Sequence, residues 1–157
     1  MNGRLVGGFI VLSALIAGGA LWYLQEYGYY SAVPASAPAA QITLTGLDGA
    51  PAPLVTEGFR GIDADSSPLR FRACFTTPVS LATLTETFRI YDRPTPLVGP
   101  GWFDCFDAGR LTEDLGRGTA VAFLSQAGIH PGVDRVVAVY PDGRAYAWHQ
   151  LDGGGDE

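Results

Sequence analysis

The sequence predicts an α+β domain with an antiparallel sheet and short helices, carried behind an N-terminal transmembrane helix. Three observations predict it. Leu5 to Leu24 is apolar throughout. Leu69 to Phe75 alternates with period two, and Asp134–Tyr140 and Arg144–Gln150 flank a Pro-Asp-Gly turn as a β-hairpin. Between these strands lie helical patterns with no regular βαβ alternation, which excludes a parallel doubly wound sheet.

The first element is the anchor. LVGGFIVLSALIAGGALWYL holds twenty residues, no charge and one hydroxyl. At about 1.5 Å per residue it spans about 30 Å, the thickness of a bilayer's hydrocarbon core. Arg4 precedes it, Glu26 follows it, and the next basic residue is Arg60. Positive charge stays inside, so residues 1–4 are expected in the cytoplasm and the rest outside. Trp22, Tyr23, Tyr27, Tyr29 and Tyr30 form an aromatic belt at the outer end, closing a 5–30 membrane segment. Ala35-Ser36-Ala37 has the small-x-small pattern of a signal-peptide cleavage site, but it lies beyond this bulky aromatic stretch, so the helix reads as uncleaved. Gly7, Ala14 and Gly18 recur at helical spacing as a small-residue packing face.

Residues 31–40 (SAVPASAPAA) are an uncharged Pro/Ala/Ser stretch and read as an extended linker. The folded domain is expected over 41–151, and 152–157 (DGGGDE) as an acidic tail. Ile42 and Leu44 predict a short strand before the turn at Leu47-Asp48-Gly49. In the next strand Leu69, Phe71, Ala73 and Phe75 share one face and the arginines and Cys74 the other. Leu81, Leu84 and Phe88 predict a helix over 78–91, with Thr83 and Glu86 as a capping box and Pro94 and Pro96 as its stop. Asp107 predicts the N-cap of a second helix reaching Leu115, with Gly116 just past its end. Thr119–Ala127 fits a helix or a buried strand, and Gly128, as a C-cap, favours the helix.

Composition removes several function classes. The net charge is −6, and the ten basic residues are arginines scattered singly, so no cationic stripe for nucleic acid exists. Two cysteines and two histidines cannot form a four-ligand zinc site of CxxC pairs. No phosphate loop, dinucleotide fingerprint or nucleophile elbow is present. Cys74 and Cys105, an even pair in an oxidising compartment, predict a disulfide. The competing chemistry is a copper or thiol site built from Cys74, Cys105 and His149. His149 shares a strand face with Ala145 and Ala147, whereas Trp148 points the other way with Tyr146. Asp63 and Asp65 lack the rest of a calcium loop.

The stretches Trp102–Ala108, Asp134–Val139 and Asp142–Gln150 resemble an uncharacterised family of short single-pass inner-membrane proteins of alphaproteobacteria with a periplasmic domain. The resemblance implies location and architecture and transfers no site residue. The expected function is a non-enzymatic accessory or assembly subunit of a larger inner-membrane complex, such as a respiratory one. Its expected partners are the lipid bilayer and the transmembrane helices of that complex or of a second copy, without metal or cofactor. The alternative is a membrane-tethered enzyme or copper/thiol handler.

Overall fold

The computed structural model describes residues 2–153. They form two compact units, one ending at Tyr30 and the other beginning at Ser31.

The first unit is helix α1, Gly3–Tyr23, continued by a single π turn over Leu24–Gly28. Asn2 caps it, its side chain accepting the Arg4 N–H. No residue of α1 is buried, and the helix is long and apolar enough to cross a membrane.

The second unit is a six-stranded antiparallel sheet in the order β1-β4-β5-β8-β7-β6. Its strands are β1 (Ser31–Val33), β4 (Glu57–Asp63), β5 (Arg72–Thr76), β6 (Val121–His130), β7 (Val133–Val139) and β8 (Arg144–Leu151). A small hairpin of β2 (Thr43–Thr45) and β3 (Pro51–Pro53) lies apart from it in pairing. Helix α2 spans Leu81–Thr87 and α3 spans Ala108–Gly116.

Strand alternation gives the sheet two buried faces. On the first, Phe71, Ala73, Phe75, Phe123, Val137, Val139, Ala145 and Ala147 pack against Ile42 and Leu44 of the hairpin region and Leu84 and Phe88 of the α2 region. On the second, Cys74 pairs with Tyr146 and Val136 with Trp148, and Phe103, Phe106 and Leu111 are buried with them. Burial on both sides explains why all seven residues of β7 are buried.

The β7–β8 hairpin forms as its sequence predicts. Gly143 sits at φ 87°, and a side chain there would meet the Thr77 carbonyl at 2.7 Å, so the position demands glycine. Asp107 caps α3 by accepting the Arg110 N–H, also as predicted.

Four expectations are corrected. Residues 31–40 are no free linker: Ser31–Val33 pair with Asp63–Gly61 as an edge strand, and Pro38–Ala40 form a 3₁₀ turn whose Ala40 is buried. Pairing needs only a backbone, so a composition that reads as spacer can still close a sheet. Thr119–Ala127 is no helix: Val121–His130 pairs with β7, and Gly128 at φ 59° sits where the register shifts. Its N–H bonds Asp134 Oδ1, so the glycine serves a strand irregularity rather than a helix end. Helix α2 is shorter than 78–91 and is capped by Ser80, whose Oγ accepts the Thr83 N–H, not by a Thr83–Glu86 box. It stops at Phe88, well before the prolines, because Arg89 N–H and Tyr91 N–H turn to the carbonyls of Thr45 and Ala122. Leu69 precedes β5 instead of lying in it. Of the acidic tail, Asp152 N–H bonds the Gly132 carbonyl, and residues 154–157 lie outside the described residues.

Candidate functional site

Two polar constructions stand out, one on each face of the sheet. On the first face, the register places Arg135 of β7 opposite His149 of β8. Alternation from the Gly61–Ala73 pair brings Asp63 of β4 to the same face. Arg135 Nε donates to His149 Nε2 at 3.0 Å. A guanidinium can only donate, so Nε2 accepts and the imidazole proton is on Nδ1, which donates to the Pro68 carbonyl at 2.7 Å. The Phe71 ring stacks on His149 at 4.7 Å and lies under the Arg135 guanidinium at 4.2 Å. Arg135 Nη1 reaches the Ala39 carbonyl.

Burial, opposed by the Pro68 bond and reinforced by the Arg135 charge, pulls the His149 imidazole down to about 4. Burial likewise lowers Arg135 to about 10, against the pull of the Asp63 charge, and raises the Asp63 carboxyl. The His130 ring meets His149 edge-on at 5.8 Å. Asp63, Asp65, Ser67, Pro68 and His130 line an open cleft of about 410 Å³ beside this group. Both nitrogens of His149 are committed, so the residue fastens the 64–70 loop to the sheet, while Arg135 ties in the Ala39 turn. It offers neither a free base nor a free ligand atom. Among the described residues no three His, Cys, Asp or Glu side chains converge as a metal-binding group.

On the second face Cys74 of β5 is bonded to Cys105, with Cα atoms 6.3 Å apart. Arg60 lies over Phe103 at 5.8 Å and pairs with Asp104 at 3.0 Å. The sheet therefore separates the cystine from His149. The copper or thiol site expected from Cys74, Cys105 and His149 is not assembled, because β-strand alternation sends Cys74 and His149 to opposite faces and the sulfurs bond each other.

The same face carries a device the sequence reading missed. Arg72 is 2% exposed, and its guanidinium donates to the backbone carbonyls of four residues. Nε bonds Leu97 O at 2.6 Å, Nη1 bonds Leu69 O at 2.7 Å and Phe71 O at 2.6 Å, and Nη2 bonds Val98 O at 3.3 Å. Gln150 completes the clamp: its Oε1 accepts from Trp148 Nε1 and from Thr95 N, and its Nε2 donates to Arg93 O. Together they pin the irregular segment between α2 and α3 to the sheet. Alternation in 69–75 places Arg72 off the Phe71 face, which was legible. That the second face is also buried was not, since its cover is a loop without periodicity.

Helix α3 is tied down by Tyr140, whose hydroxyl donates to Asp114 Oδ2 at 2.8 Å. That bond and the Arg117 guanidinium hold the Asp114 carboxyl below its ordinary value. In α1, Gly7, Ala14 and Gly18 fall within about 40° around a 3.6-residue helix. A side chain added at Gly7 or Gly18 would meet nothing within 4 Å.

Residues 42–157 match a family of unknown function, DUF6446. No curated protein matches the chain. No solved structure matches it either. The match takes in the hairpin, both helices of the second unit, the cystine and strands β4 to β8, and on that extent the chain belongs to the DUF6446 family.

Proposed function

We propose that the protein is a membrane-anchored accessory or assembly subunit. In this reading α1 crosses a bacterial inner membrane with its N-terminus in the cytoplasm, and the sheet unit works in the periplasm. Its helix docks on transmembrane helices of a larger complex, or of a second copy, through Gly7, Ala14 and Gly18. The observation that carries the reading is the pairing of an apolar helix without a buried residue with a unit closed by a cystine. The first asks for lipid and the second for an oxidising compartment. The enzyme or copper/thiol alternative has less support, since its three residues do not meet.

Lipid gives helices little hydrophobic drive to associate, so close backbone approach must supply the contact. Replacing Gly7 and Gly18 together by Leu keeps the helix apolar but fills that face. Affinity purification of the full chain from membranes in mild detergent should recover partner proteins with the wild type and lose them with the double variant. Equal recovery would refute docking through α1.

A further inference from the structure

The segment from Pro94 to Phe103 (PTPLVGPGWF) contains no charged residue. Among the described residues it also carries the most exposed large apolar side chain of the sheet unit: Val98 is 82% exposed, and Trp102 is 40% exposed. Ordinarily such a loop would be costly in an apolar medium because of its free backbone groups. This one is prepared for it. Pro94, Pro96 and Pro100 have no N–H to satisfy. The Thr95 N–H is taken by Gln150, and the carbonyls of Leu97 and Val98 by Arg72. The Pro100 carbonyl accepts the Phe103 N–H at 3.0 Å. The tip is thus held by buried side chains from beneath, while Val98 points its side chain away from the protein. Beside it Leu69, Leu97 and Leu151 line a mostly apolar cleft of about 390 Å³, and Leu151 is 64% exposed.

We propose that this loop is a second membrane contact, with Val98 and Trp102 entering the headgroup–acyl boundary of the bilayer in which the chain is anchored. The inference rests on the reading of α1 as a membrane anchor. That anchor is what selects lipid as the occupant: a covalently tethered unit meets the bilayer surface at high effective concentration, so a weak interfacial contact suffices. The residue types agree. Tryptophan prefers the interface, where its ring is half in hydrocarbon and its N–H is wet, and an uncharged loop carries no desolvation penalty from side-chain ions.

The test uses the full chain with Trp22→Phe, reconstituted in phosphatidylcholine vesicles. Trp148 is fully buried behind Gln150, so Trp102 is the one remaining tryptophan within reach of lipid. Flotation of the vesicles first establishes anchoring. Lipid brominated near the headgroup end of its acyl chains should then reduce the tryptophan emission. The loss should vanish in Trp22→Phe/Trp102→Phe and should fall sharply with Val98→Glu, which leaves the thermal midpoint unchanged because Val98 makes no core contact. Protein that fails to float overturns the anchor and with it this contact. Protein that floats but shows no bromine quenching overturns the loop contact alone. Quenching absent in lipid, with a Trp102 emission that shifts with protein-to-lipid ratio, would identify a second copy as the occupant and also overturns it.

Discussion

His149 shows how one side chain records its surroundings. Burial first, and then the Arg135 cation that its Nε2 faces, disfavour the protonated form, so the imidazole titrates near 4 instead of 6.5. The unfolded chain takes up a proton near 6.5, while the folded chain refuses it until about 4. Over that window the unfolded state binds more protons, so stability falls with falling pH, by up to about 3 kcal/mol, and is fully present only above about 6.5. His149→Gln keeps an acceptor for Arg135 and does not titrate. Urea unfolding at pH 7 and at pH 4.5 should therefore show the wild type more stable than the variant at pH 7 and that gap closing at pH 4.5. A gap of constant size would mean that His149 is not held neutral. The strand position and face of His149 were legible from alternation alone. Its partner was not, because the Arg135–His149 contact depends on the β7–β8 register, which the turn fixes, and on a loop carbonyl with no pattern in sequence.

At the scale of elements, capping and clamping matter more than propensity. The Ser80 cap of α2 should contribute about 1 kcal/mol, so Ser80→Ala should lower the urea midpoint modestly without altering the transition slope. Arg72 should matter more, since Arg72→Met leaves carbonyls of Leu69, Phe71 and Leu97 without their donor at a cost of about 1–3 kcal/mol for each one that stays dry. Limited proteolysis should detect new cleavage between Leu97 and Trp102 in Arg72→Met. An uncut loop would show that Gln150 and the cystine suffice to hold it. The elements that the sequence predicted well, the β7–β8 hairpin and α3, are those with local signals: a Pro-Asp-Gly turn and an Asp cap. Those it missed, among them β1 and β4, and the one it leaned the wrong way on, β6, are decided by partners elsewhere in the chain. Ala122–Leu124 is as apolar as a buried helix, and only β7 on one side and the 89–91 segment on the other make it a strand.

At the scale of the whole molecule, the cystine and the apolar helix make one statement about compartment. Bridging Cys74 to Cys105 closes a loop of 31 residues, worth about 3–4 kcal/mol in the chain-entropy account. The double variant Cys74→Ser/Cys105→Ser should lose about that much stability by urea unfolding, and reductant should have the same effect on the wild type and none on the variant. A cytoplasmic sheet unit would never gain this stabilisation, since cytosolic thiols are kept reduced. The most direct test of the account is therefore topological: alkaline phosphatase, which folds only outside the cytoplasm, fused after Glu157 of the full chain in bacterial cells. The account predicts a membrane-bound, active phosphatase. An inactive phosphatase, with a fluorescent protein at the same position glowing in the cytoplasm, would contradict it.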